Sequence, residues 1–350
     1  MEFKHLNAAP AQTWNWLAIN DTDLRLPDSL VAFLPSSFCK AIEEKKETPR
    51  LRDIIEALAQ KKNTFIGDED SQNAFTVLLD SDNPAQQTSI TVKKGCHARL
   101  SIAALGREID TQATAHALTI LLEEGSSLTV EHLVAQSDQQ MHLEAISAAL
   151  SKNARLLPVQ FFLGSGQILS GMDVQMNEEG AKFVGSVQYA VDSDQVLDLT
   201  YTLLQKAPRT TSSLQVSGVL SDNASKTLRA TIDLQKGCKG AQGTENETVV
   251  LAGDSVINKT LPTILCAEDD VEGNHGATIG SLSEEMLFYL ASRGITEDDA
   301  ATLMKEAILD NAATSLDAPL SDAALSWAQW AQGPEAYETA SSARAFVEEV

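Results

Sequence analysis

Between about residue 73 and residue 265 apolar and polar positions alternate in short runs with a period of two. Within residues 128–134, Leu128, Val130, His132 and Val134 share one face, and Thr129 and Glu131 share the other. This is the periodicity of half-buried strands. Between the runs a turn signal recurs, a charged residue followed by Gly or Asn and then a small residue. It reads Lys94-Gly95-Cys96, Glu124-Gly125-Ser126, Lys152-Asn153-Ala154, Glu179-Gly180-Ala181, Asp222-Asn223-Ala224 and Lys236-Gly237-Cys238. The steps are 30, 28 and 27 residues from Gly95 through Gly125 and Asn153 to Gly180, and 29 from Asp194 to Asn223. Weaker turn signals at Asp110, Gln139, residues 164–166 and Pro208 fall near the midpoints. A unit of roughly 28 residues, halved by a second turn, predicts a coil of short stacked strands burying one aliphatic stripe. A sandwich or barrel is the other arrangement open to many short strands, and the regular spacing favours the coil.

On both sides of this zone the period becomes helical. Leu51, Ile54, Ile55 and Leu58 recur at helical spacing behind Pro49, which predicts an amphipathic helix. The cluster Thr13-Trp14-Asn15-Trp16-Leu17 is expected to anchor a helical flank by packing. Ser281-Leu282-Ser283-Glu284 matches a capping box, and the run 285–293 ends at Gly294. Thr296 then caps a second helix, with Glu297, Asp298 and Asp299 at the positive end of its dipole. Ala300, Leu303, Met304 and Ile308 form its apolar face, and a further helix near residues 323–331 precedes an acidic, alanine-rich tail. The expected division is a helical and irregular region 1–72, a β core 73–280 and a helical region 281–350.

Charge narrows the partners. With 49 acidic against 26 basic residues the net charge is -23, which repels phosphate backbones and anionic lipid. Nucleic acid and membrane surfaces are therefore not expected partners. Residues 1–10 lack the apolar stretch of a signal peptide, and no run nears the roughly 20 apolar residues of a spanning helix, so a cytoplasmic location is expected. The four cysteines, Cys39, Cys96, Cys238 and Cys266, contain no C-x-x-C pair and read as reduced thiols. No Walker-type phosphate loop, nucleophile elbow or H-E-x-x-H is present. His97, His116, His132 and His142 are scattered along the chain, and His132 shares an apolar face.

The most informative segment is residues 266–280, Cys-Ala-Glu-Asp-Asp-Val-Glu-Gly-Asn-His-Gly-Ala-Thr-Ile-Gly, continuing into Leu287-Phe288-Tyr289-Leu290-Ala291-Ser292-Arg293-Gly294-Ile295. It closely resembles the C-terminal signature of the SufB/SufD family, and of its SufD-type members in particular. Residues 118–129 resemble the family's β-helix core, as does the run from Gly240 to Thr244. The resemblance covers roughly residues 90–311 and implies a right-handed parallel β-helix with helical N- and C-terminal regions. It implies a scaffold subunit that is not itself an enzyme. This subunit would pair through the β-helix with a SufB-type paralogue, or with a second copy of itself in a single-subunit homodimeric scaffold. A SufC-type ATPase would dock on residues about 281–311, with Leu287, Phe288, Tyr289, Arg293 and Gly294 at the contact. Nucleotide-driven motion would open or close the junction holding the cluster. The cargo implied is a transient iron–sulfur cluster in the complex, with no permanently bound cofactor. The competing enzyme class for such a coil is a carbohydrate-active β-helix, which needs paired acids on one face.

Carried over position by position, the resemblance makes His275 the candidate iron or cluster ligand at the subunit junction. A neutral imidazole suits a replaceable ligand. Where many relatives have a cysteine two residues earlier, this chain has Gly273, and Gly276 replaces the Glu of SufB-type His-Glu pairs. The sulfur-accepting cysteine of SufB-type proteins corresponds to the neighbourhood of Glu247, which is no thiol; a carboxylate there tolerates Fe(II), although the strand pattern reads Glu247 as an outward residue. Cys266, in the apolar run Ile264-Leu265-Cys266, is expected in the core, and Cys238, after a turn glycine, is expected to be the more accessible thiol. Both remain ligand candidates. The acidic cluster Glu268, Asp269, Asp270 and Glu272 lacks EF-hand spacing and reads as a solvated loop.

Overall fold

Strict alternation of inward and outward side chains lets a strand serve a core on one face and a covering layer on the other. The computed structural model, which describes residues 1–45, 49–69, 73–106, 113–331 and 341, shows how the chain uses both. Strands β1 (Glu2–Leu6) and β2 (Thr22–Arg25) pair antiparallel and precede helices α1 (Asp28–Val31), α2 (Ser36–Lys45) and α3 (Leu51–Leu58). Then come β3 (Lys61–Gly67), β4 (Ala74–Leu79), β5 (Ala85–Val92), β6 (His97–Gly106), β7 (Ala113–Leu122), β8 (Ser127–Gln136), β9 (Met141–Leu150) and β10 (Arg155–Phe162). They continue as β11 (Gln167–Met176), β12 (Lys182–Val191), β13 (Val196–Gln205), β14 (Thr211–Ser221), β15 (Ser225–Leu234), β16 (Ala241–Ala252), β17 (Ile257–Cys266) and β18 (Val271–Ser281). Helices α4 (Glu284–Ala291), α5 (Glu297–Ser315) and α6 (Ala318–Ala331) follow.

Each strand from β3 onward pairs in parallel with the strand two places on, so odd and even strands form two eight-stranded sheets. The fold is the expected parallel β-solenoid, with two strands per turn. Ala85 aligns with Ala115, Met141 with Gln167 and Val196 with Ser225, register steps of 30, 26 and 29 residues. The coil starts at Lys61, ahead of residue 73.

The corners explain the turn signals. Gly95, Gly125, Asn153, Gly180, Arg209 and Gly240 all have positive φ, and each donates its N–H to a carbonyl of the next turn in the column. Glycine and asparagine recur there because the left-handed conformation is strained for other residues. The turn at Pro208 and Arg209 belongs to this column and not to the midpoint series. Asp192 to Gln195 and Asp222 lie in the opposite corner, where Gly166 N–H bonds Gln140 O and Asn223 N–H bonds Ser193 O. Half-turns of nearly equal length make the two corners indistinguishable by spacing. At Gly166 a Cβ would stand 2.0 Å from Asp138 O, so the chain can pass there only as glycine. Asp110 and the tail past residue 331, apart from residue 341, lie outside the described residues.

Three apolar clusters result. The lumen is filled by inward residues of both sheets, among them Leu100, Leu128, Phe162, Phe183 and Leu228. Outside the odd sheet, small residues Ala85, Ala113, Ala115 and Ala117 leave room for α3, which buries Leu51, Ile54, Ile55 and Leu58 as its spacing predicts. Outside the even sheet, Leu133, Ala135, Phe161 and Leu163 receive Leu309, Ala312 and Trp327 of α5 and α6. Arg229, buried on the outside of β15, fastens the N-terminal segment: it pairs with Asp198 at 2.7 Å and donates to the carbonyls of Ile19 and Asp21. The Trp pair does not serve as an anchor. Trp14 precedes and Trp16 lies within a short 3-10 turn, and they are 70% and 75% exposed, because β1 and β2, not recognised in the sequence, close this region instead. The cap of α4 is Ser283, whose Oγ accepts from Met286 N–H, rather than Ser281, which is still in β18. Thr296 caps α5 as expected. Among the described residues no helix is long and apolar enough to cross a membrane.

Candidate functional site

The two ends of the coil differ. At the first turn Phe65 and Phe75 stack with ring centroids 4.7 Å apart and pack on the lumen cluster. At the last turn the inward positions of β18 are Val271, Gly273, His275, Ala277 and Ile279, by their register with the buried Ala241, Gly243, Glu245, Glu247 and Val249 of β16. None of the residues of β17 or β18 is buried, although the corresponding inward residues of β15 are. Each of the two strands is a sheet edge, with open backbone groups along one side. His275 is exposed at the centre of this end.

Beneath it lies a polar layer. Glu245 is the direct register partner of His275, is buried, and its Oε1 has no hydrogen-bond partner among the described residues. Burial, and then the charge of Glu247, push its carboxyl up to about 7. Glu247, two residues on, also points inward and is 1% exposed. It pairs with the fully buried Lys226, and Thr260 Oγ1 both accepts from Lys226 Nζ at 3.0 Å and donates to Glu247 Oε2 at 2.7 Å. The outward reading of Glu247 is therefore corrected. The strand pattern itself holds the sign that was missed: Glu245 and Glu247 share parity with Ala241, Gly243 and Val249. Buried charge of this kind persists only when paired and hydrogen-bonded. Lys226, which no motif singled out, is that partner. The paired acids are sealed in the lumen, so no exposed two-carboxylate face of a glycosidase type is built from them.

The cysteines exchange the positions expected of them. Cys238 is fully buried, and burial raises its thiol pKa. Cys266 is exposed, its Sγ 3.1 Å from Glu268 O. The difference is topological: the residue stacked beneath Cys266 is Leu234, but no further turn lies above it. Of the acidic cluster beside them Asp269, Asp270 and Glu272 are exposed and Glu268 is half-buried, and the cluster is engaged in the corner. Glu268 Oε2 accepts from Gly237 N–H at 2.9 Å, which lowers its pKa, and Asp270 O accepts from Gly240 N–H.

Helix α4 leaves the coil just beyond β18 and buries no residue. Phe288 is 77% exposed and Tyr289 51%, with the Arg293 guanidinium 4.8 Å from the Tyr289 ring centroid. Leu287 is half-buried, and Gly294, at φ 82°, reverses the chain.

Comparison with known proteins follows the same span. A family model described as SUF system FeS cluster assembly, SufBD core domain, matches residues 77–308. An iron–sulfur cluster assembly SufBD family protein of Mycobacterium tuberculosis is 32% identical over 155 residues, 44% of this chain and 18% of that protein. Proteins given the same family description in Staphylococcus saprophyticus and Staphylococcus aureus are 31% and 33% identical over 144 and 145 residues, 41% of this chain and 30% of theirs. The matched segments thus span under a third of these relatives' lengths.

Proposed function

Because the chain belongs to the SufBD family, whose core-domain model covers about two thirds of it, we propose that it is a SufD-like scaffold subunit in iron–sulfur cluster assembly. The observation that carries this reading is the open last turn. Its two edge strands are unpaired on one side and display His275, an imidazole without a covering layer. A second subunit presenting the same kind of edge satisfies those backbone groups and brings its own ligands to His275. A SufB-type paralogue is the partner in this reading.

The cluster is cargo, held while the two subunits are together. His275 supplies a neutral nitrogen ligand that is released on protonation or displacement. Cys266, the exposed thiol of the same end, is the sulfur donor the chain itself can offer; Cys238 is sealed. Glu247 is committed to Lys226 and acts below the surface, through charge rather than as a ligand. A SufC-type ATPase docks on α4, whose Phe288 and Tyr289 are exposed ring surface, Tyr289 with the Arg293 guanidinium over its ring. Because α4 follows β18 after a two-residue link, force on the helix acts at the edge holding His275.

The test is co-expression with a SufC-type ATPase and a SufB-type protein, then anaerobic reconstitution with iron and sulfide. The expected result is a ternary complex whose cluster absorption is lost in His275→Ala. A homodimer that loads cluster with the ATPase alone replaces the paralogue reading, and loading unaffected by His275→Ala overturns the site.

A further inference from the structure

The histidines that are far apart in the sequence converge in the middle of the lumen. Thr114 and His116 lie on β7, His132 on β8, and His142 and Glu144 on β9, all inward and fully buried or nearly so. His116 aligns with Glu144 and Thr114 with His142 across the β7–β9 ladder. Rings of His132 and His142 stand 5.5 Å apart between centroids. One ligand atom of each of His132, His142 and Glu144 lies within 4.8 Å of the others.

The hydrogen bonding around this island is incomplete. Glu144 Oε2 accepts from Gln160 Nε2 at 3.0 Å and Ser170 Oγ at 2.9 Å. His142 Nδ1 is 2.8 Å from Thr114 Oγ1, and His116 Nε2 is 2.9 Å from Thr88 Oγ1. These partners orient each group from behind. His132 Nε2, His142 Nε2, His116 Nδ1 and Glu144 Oε1 have no hydrogen-bond partner among the described residues. Glu144 Oε1 is 3.0 Å from His132 Nδ1, an ion pair when that imidazole is protonated and a shared ligand edge when it is neutral, and Gln160 Nε2 lies 3.5 Å from the same nitrogen. Four polar atoms buried without hydrogen-bond partners in one lumen would be a large penalty if nothing joined them. His142 and His116, each with one ring nitrogen against a threonine hydroxyl and the other unpartnered, show the arrangement of metal-binding histidines.

We propose that His132, His142 and Glu144 form a structural site for a borderline divalent transition metal, such as Zn²⁺ or Fe²⁺, inside the coil. Imidazole and carboxylate donors suit this class, whereas Mg²⁺ and Ca²⁺ want oxygen alone. Donors around such an ion stand about 3.3 Å apart at bonds of about 2.0–2.1 Å, so the three side chains close by small rotations onto it. His116 is the register partner of Glu144 but lies outside this group of three. A site sealed on all sides is filled as the chain folds and exchanges slowly afterwards. His142 and Glu144 lie four odd-sheet steps before β17 at the open end, and the site involves neither the assembly role nor His275.

The experiment uses the full chain alone, without ATPase, paralogue or sulfide. The chain is unfolded with chelator and refolded with Zn²⁺, with Fe²⁺ under anaerobic conditions, with Co²⁺, or with no metal. Metal per chain is then measured by mass spectrometry after native dialysis against chelator. The expected result is about one ion per chain retained, a higher unfolding midpoint with metal than without, and d–d absorption of a low-coordinate site with Co²⁺. His142→Gln and Glu144→Gln should lose the ion, and His275→Ala should keep it. Refolded wild-type chain that retains no metal overturns the proposal, whatever the variants do. Retention in His142→Gln, or loss in His275→Ala, overturns it as well. Failure here leaves cluster loading with partners untouched, so the two readings are tested separately.

Discussion

His275 stands directly across the β16–β18 ladder from Glu245, an exposed imidazole over a buried carboxyl. In every earlier turn such an inward residue is roofed by the next strand. Here the roof is missing, and the pair marks the boundary between the lumen and the surface that awaits a partner.

His275→Ala should change stability by no more than about 0.5 kcal/mol, because an exposed side chain contributes little. Urea unfolding of the isolated chain checks this. Cluster loading in the assembled complex should fall at least tenfold in the same variant. A large loss of stability would mean that the imidazole is structural.

Lys226→Met leaves Glu247 buried and unpaired. The expected cost is about 3–5 kcal/mol, as for other broken buried pairs. Lys226→Met combined with Glu247→Leu should recover most of it, since both charges are then gone. Denaturant titration of the three chains decides whether the pair is needed for the fold or for its charge.

The carboxyl of Glu245 is pushed up to about 7 in the folded chain, against an ordinary 4.5. Between these values the folded chain holds a proton that the unfolded chain has released. Its contribution is therefore present at low pH and is lost as pH rises through about 4.5 to 7. Glu245→Gln should flatten the fall in unfolding midpoint across that window, measured at intervals of half a pH unit. An unchanged slope would show that Glu245 titrates as an ordinary carboxyl.

Phe288→Glu and Tyr289→Lys should leave circular dichroism and the unfolding midpoint unchanged, since both side chains are exposed. They should abolish co-purification of a SufC-type ATPase. Retained binding would move the docking surface away from α4.

Thiol accessibility separates the two cysteines of the last turns. Under native conditions Cys266 should react with a maleimide within minutes, whereas Cys238 should react only after unfolding, because burial both shields its thiol and disfavours the thiolate. Mapping of the labelled peptides reads the outcome directly.

What the sequence by itself determined was the coil and its helical flanks. Alternation of period two, turns near every 28 residues and the positive-φ residues Gly95, Gly125, Asn153 and Gly180 are local requirements, and local chemistry writes them into the chain. The helix at Leu51 to Leu58 and the Thr296 cap were legible for the same reason. Which half-turn lies in which corner, and which strand is the last, are decided by stacking between residues about 30 positions apart. Those contacts made Cys266 exposed and Cys238 buried, turned Glu247 inward to meet Lys226, and gathered His132, His142 and Glu144 in one place. A solenoid superposes distant residues by counting turns, and a shift of one or two residues in any corner changes the count, so only the tertiary structure settles what lies above what.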